Sequence, residues 1–247
     1  MRGMVGSETR VEYLQLPADL LVLTRSFGIQ MPAQLQRDAT VLALAVECTD
    51  RHLDALPSRV DREVFANAIL IQLDTFPPPV SATLPAELSV RLACLRQVLD
   101  RHQIAGPFCR RVRQMLTNSE RMRAAHTSGR FVACAVREGA LLVEALLLLL
   151  GGTATPGFSR FMRLLAGPAN LVDKFRDARR DFAAGELAIK PNFSFRLRLL
   201  WQILRRLPVL AAGLVVRPRV MSWGIASLVK ELGRKSGTDR QYQPRFG

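Results

Sequence analysis

Leu141-Leu-Val-Glu-Ala-Leu-Leu-Leu-Leu-Leu150 is a run of apolar side chains broken once, by Glu144. These residue types favour helix, and a helix that is apolar on nearly every side must be enclosed by other elements. With Arg137 and Glu138 on its N-terminal flank, the run is too short and too polar to cross a bilayer, which takes about 20 apolar residues. It therefore predicts a central helix from about Arg130 to Leu150, with a bundle around it. The composition agrees: 49% of the chain is hydrophobic but only 6% aromatic, a Leu/Ala-rich balance that favours helices over a β-sandwich. No strand-like alternation and no internal repeat interrupts this pattern. The expected fold class is all-α, a single helical bundle, and 247 residues suffice for one large domain with a substantial core.

Turn residues divide the chain into helices at about Ala18–Ser26, Ala33–Leu56, Arg59–Asp74, Pro85–His102 and Pro107–Met115. A further helix capped by Ser119 should end near Ser128-Gly129, ahead of the apolar one. The next runs from about Ser159 to Ala184, with a kink or a separate first turn at Gly167-Pro168 and a stop at Gly185. Ser58 is placed to cap the helix that follows it. The expected organisation is a helical core over residues 1–190, basic amphipathic helices over 191–235 and a disordered tail over 236–247.

Charge is uneven. Residues from Lys190 onward carry 12 Lys/Arg against 2 Asp/Glu, so most of the formal net charge of +14 belongs to the C-terminal segment. Its Phe193–Leu207 and Val220–Arg234 stretches mix Arg and Lys with Trp, Phe and Leu, a pattern suited to an anionic membrane surface or to completing the bundle. The four cysteines (Cys48, Cys94, Cys109, Cys134) form no CxxC pair and read as reduced thiols of a cytoplasmic protein. His52, His102 and His126 are not spaced with them as zinc ligands, and no secretory signal precedes the first helix.

Two acidic stripes carry the chemistry. Asp173, Asp177 and Asp181 recur every fourth residue within Asn170-Leu-Val-Asp-Lys-Phe-Arg-Asp-Ala-Arg-Arg-Asp181. On a helix they share one face, where like charges cost a few tenths of a kcal/mol per pair unless a cation offsets them. Glu47, Asp50 and Asp54 form a second stripe in Val46-Glu-Cys-Thr-Asp-Arg-His-Leu-Asp54. Two carboxylate stripes on core helices distant in sequence suit a hard divalent cation held between facing helices. The alternative for each is a solvated helix face interleaved with basic residues.

The Asn170–Gly185 segment resembles the second metal motif of the class I isoprenoid (terpenoid) synthases, in the style of the squalene/phytoene synthases. Asp50-Arg-His-Leu-Asp54 resembles a reduced form of their first Asp-rich motif, with Arg51 where the family commonly doubles the Asp. The resemblance covers roughly residues 37–186. It implies an isoprenoid-synthase bundle in which Asp50, Asp54, Asp173, Asp177 and Asp181 bind Mg²⁺ and the partner is a prenyl diphosphate. Arg130 and Arg180 would then be catalytic, with Lys174, Arg176 and Arg179 on the diphosphate. The segments around Val41–Val46, Phe131–Leu150 and Phe158–Leu165 would line an apolar pocket. A cytoplasmic location with peripheral membrane contact, and a homodimer, are compatible with this reading. The competing readings are a non-catalytic lipid- or membrane-binding relative and, from another class, a basic nucleic-acid-binding protein. The last gains from a pI near 11.1 but leaves the acidic stripes unexplained and shows no nucleic-acid motif.

Overall fold

The computed structural model describes residues 11–75, 83–183, 185, 187–206 and 208, with side chains from residue 17. Within them lie eight α-helices: α1 (Val11–Ser26), α2 (Ala33–Asp54), α3 (Arg59–Asp74), α4 (Ala86–Arg101), α5 (Ala105–Arg123), α6 (Ser128–Leu150), α7 (Pro156–Ala183) and α8 (Phe193–Leu204). Among the described residues there is no strand. The all-α expectation holds, and no described helix is long and apolar enough to cross a membrane.

Local chemistry explains the helix ends. The Ser58 hydroxyl accepts from the Asp61 amide at 3.1 Å, the cap expected for α3. Thr127 caps α6 and Asn192 caps α8 in the same way. Gly28 and Gly185 stand just past α1 and α7 at φ 71° and 77°, left-handed backbone that a side chain resists.

Three expectations need correcting. The first helix begins at Val11 and carries Pro17 within it. The break expected between Met115 and Ser119 is absent, so Ser119 caps nothing and α5 is one helix. Thr117, Asn118 and Ser119 look like turn chemistry, but the Thr117 hydroxyl returns to the Arg113 carbonyl one turn back. Asn118 is buried and donates to the Cys134 carbonyl of α6 at 2.8 Å. Finally, α7 runs through Gly167-Pro168 as a single helix, so there is no separate first turn; both residues are buried, and Gly167 gives room to Val136 of α6.

The central position of α6 is as expected. It packs chiefly on α5 and α7 and also meets α2 and α8. Glu144, the one polar break in its apolar half, is neutralised by Arg111 of α5 at 2.7 Å. Two apolar clusters share this helix. The larger joins α1–α5 to the C-terminal half of α6 and the N-terminal half of α7. The smaller joins Phe131, Val132 and Ala135 of α6 to Leu171 and Ala178 of α7 and to Phe195, Leu199 and Ile203 of α8. Each fully buried Leu or Phe contributes about 1.5–3 kcal/mol. The antiparallel α5–α6–α7 order brings the end of α5, the start of α6 and the end of α7 to one end of the bundle.

Candidate functional site

At that end the C-terminal half of α7 presents its acidic stripe. Arg176 Nη2 reaches Asp173 at 3.3 Å and its Nε reaches Asp177 at 3.4 Å. Arg180 Nη2 lies 3.0 Å from Asp177 and 3.5 Å from Asp181. Asp173 is half-exposed, whereas Asp177 and Asp181 are largely buried. Behind them Lys174 Nζ contacts Glu138 of α6 at 3.3 Å. Burial alone would favour its neutral form, but Glu138, Asp173 and Asp181 outweigh that and hold the ammonium protonated well above the ordinary lysine range. Asn170 anchors the same helix face, donating to the Ala135 carbonyl at 2.6 Å and to Glu138 at 3.1 Å.

The first stripe divides. Asp54, the last residue of α2, accepts from Arg123 Nη2 of α5 at 2.6 Å. Arg123 also faces Glu120 at 3.8 Å, and Glu120 is held by Arg62 of α3 at 2.7 Å. Asp50 is half-buried. Glu47 instead turns into the core, where it pairs with Arg51 at 3.7 Å.

The two stripes are within electrostatic reach of each other at Asp181 but, among the described residues, form no ligand cluster. The Asp181 carboxyl is pushed above the ordinary value by burial first, and then by the charges of Asp177 and Asp54, against Lys174 and Arg180. A carboxylate on α7 thus feels one on α2, about 120 residues away in sequence. An all-oxygen donor set is the kind that a hard cation such as Mg²⁺ takes. In this structure Arg123 and Arg180 take the place of that cation. Asp54, Asp177 and Asp181 do not form a group with ligand atoms within 4.8 Å of one another; among the described residues only Cys48, His52 and Glu87 do.

That second group was missed because Cys48 and His52, four apart on α2, need Glu87 of α4 to complete them. Arg51 Nη2 bridges two of the three, at 3.5 Å from Cys48 Sγ and 3.0 Å from Glu87. Burial, above all, pushes the Cys48 thiol up, away from the thiolate that a metal needs. A guanidinium and a neutral thiol make this a salt-bridged cluster.

Of the other expected residues, Arg130 and Arg179 are exposed. The pocket-lining segments are mostly core: Leu42, Ala43, Ala45, Phe158, Phe161 and Met162 are buried. Val41 and Leu44 line a groove of about 470 Å³ toward Ala86, Val90 and Cys94 of α4. Arg123, which sequence reasoning did not select, is the cation on Asp54. Its signal was the acidic end of α2, which needs a counter-charge, but the helix that supplies it was expected to be broken. No protein-family model, curated protein or solved structure matches this chain.

Proposed function

We propose that this chain is a class I isoprenoid-synthase-like enzyme that ionises a prenyl diphosphate within an isoprenoid-synthase type of bundle. The observation that supports this most is that Asp177 and Asp181 of α7 sit largely buried at the end of the bundle where Asp54 of α2 is held by Arg123, with Asp54 within electrostatic reach of Asp181. Asp50, Asp54, Asp173, Asp177 and Asp181 would hold Mg²⁺. When bound, Mg²⁺ neutralises the diphosphate and makes it a leaving group.

The chain's own residues have distinct tasks. Lys174, fixed by Glu138 and kept protonated, is a permanent positive charge beneath the acidic face. Arg180 is exposed and pairs with Asp177 and Asp181, so it can turn to a diphosphate oxygen once those carboxylates have another partner. Arg176 keeps Asp173 and Asp177 aligned. Arg179 and Arg130 offer further charge from exposed positions.

A second reading has its own observation. Arg123 and Arg180 already balance the carboxylates, as a non-catalytic, lipid-binding relative would need. One experiment separates the two: diphosphate release from geranyl, farnesyl and geranylgeranyl diphosphates, with and without Mg²⁺, on wild type, Asp54→Asn and Asp177→Asn. The enzyme reading expects Mg²⁺-dependent release reduced about a hundredfold or more by either substitution. A folded wild-type protein that binds these substrates without release would support the second reading. Release that survives both substitutions would sink the first.

A further inference from the structure

A helix at the edge of a bundle needs one apolar face, and α8 has two. Phe195, Leu199 and Ile203 are buried against α6 and α7. Opposite them, Phe193 is 80% and Trp201 62% exposed, and Leu197, Leu200 and Leu204 are exposed beside them. At 3.6 residues per turn, these five fall within an arc of about 100°. A contiguous exposed apolar patch marks an interaction surface, so this stripe needs an occupant.

The borders of the stripe say which. Arg198 and Arg205 fall along one edge, and Arg196 falls along the other, its guanidinium 4.6 Å over the Phe175 ring. No acidic residue lies in α8. Arg205 and Arg206 stand side by side with like charge, and Arg206 is disfavoured as a cation by burial first and then by Arg205. Large apolar side chains including Trp, rimmed by arginines and free of acids, match the boundary between acyl chains and anionic headgroups. They match a protein partner less well, since no acidic residue lies in α8 to pair across an interface. We infer that the exposed face of α8 docks the protein onto an anionic lipid surface, with Phe193, Leu197 and Trp201 entering the interface and Arg198 and Arg205 meeting headgroup phosphates. This inference does not depend on the proposed enzymatic activity.

The test is co-sedimentation of the full chain with phosphatidylcholine vesicles, with and without phosphatidylglycerol. Wild type is compared with Phe193→Ser/Trp201→Ser, with Arg198→Gln/Arg205→Gln and with Val60→Ser, an exposed apolar residue on α3. Wild type and Val60→Ser should bind the phosphatidylglycerol vesicles equally. The apolar double variant should lose about tenfold or more, as half-burial of two aromatic side chains implies. The arginine variant should lose the preference for phosphatidylglycerol. The basic residues that follow Arg205 are the same in every variant. Binding carried by them alone would leave the apolar double variant equal to wild type, and the inference would fall. It would fall equally if wild type bound neither vesicle, or if the double variant kept its binding but lost thermal stability, which would mean that protein covers the stripe.

Discussion

Two buried carboxylates show how differently the same side chain is used. Asp38 on α2 is 1% exposed, yet it accepts from Gln34 at 2.8 Å and Arg101 at 2.7 Å and pairs with His102 Nε2 at 2.8 Å. Burial alone would raise its pKa, but those three partners lower it below the usual carboxylate value. A depressed carboxylate contributes stability above the unfolded-state value, and that contribution is lost as pH falls through the folded-state value. Asp38→Asn should therefore cost about 2–3 kcal/mol at neutral pH and should flatten the acid limb of a thermal-midpoint profile taken below pH about 4. Asp181 is the opposite case: burial first, with Asp177 and Asp54 adding to it, raises its pKa despite Lys174 and Arg180. Asp181→Asn should raise the thermal midpoint at neutral pH while impairing Mg²⁺-dependent diphosphate release. A lowered midpoint would show that Lys174 and Arg180 already overcompensate that charge. Sequence spacing revealed the α7 stripe because a step of four is visible in one dimension. It could not show that Glu47 turns into the core while Asp54 meets Arg123, because that choice is made by α4 and α5.

At the level of helices, the contact that holds the site in register is α6 against α7. Gly139 of α6 lies so close to α7 that a β-carbon there would land on the Ala166 carbonyl oxygen and touch Asn170. That oxygen is backbone within a helix and cannot yield cheaply. Gly139→Ala should gain about 1 kcal/mol in helix propensity and still lose about 1–3 kcal/mol overall through overpacking, read as a lower urea midpoint. Gly129, in the first turn of the same helix, has open space around it, and Gly129→Ala should stabilise by about 0.4–1 kcal/mol. The pair separates helix propensity from packing. Helix identity was legible where apolar periodicity was long, as in α2, α3, α4 and α6. It misled where local signals mimicked a break: Asn118 reads as a turn residue until α6 supplies its acceptor, and Gly167-Pro168 allows a separate first turn until Val136 is seen filling the space beside Gly167 in a continuous α7. In both places tertiary packing overrides a local signal.

Across the whole molecule, the acidic end of the bundle and the basic C-terminal segment occupy one chain whose net charge is +14, so an anion has two places to go. Ligand-linked stability tells them apart. The carboxylate site draws on α2 and α7, with Arg123 of α5 holding Asp54, and a ligand that bridges the two helices can bind only the folded state. At a hundred times its Kd such a ligand stabilises by about 2.7 kcal/mol, and for a chain of this size each kcal/mol is worth about 2–4 °C. Inorganic diphosphate with Mg²⁺ should thus raise the thermal midpoint by about 5–10 °C. Diphosphate without Mg²⁺ should do little, because carboxylates repel it. Asp54→Asn should remove most of the shift by taking one side of the bridge away. Diphosphate bound only by the basic segment predicts another pattern: a shift that needs no Mg²⁺, that persists in Asp54→Asn and that fades with added salt. That outcome would move the anion site away from the acidic stripes and leave their convergence as a matter of stability alone.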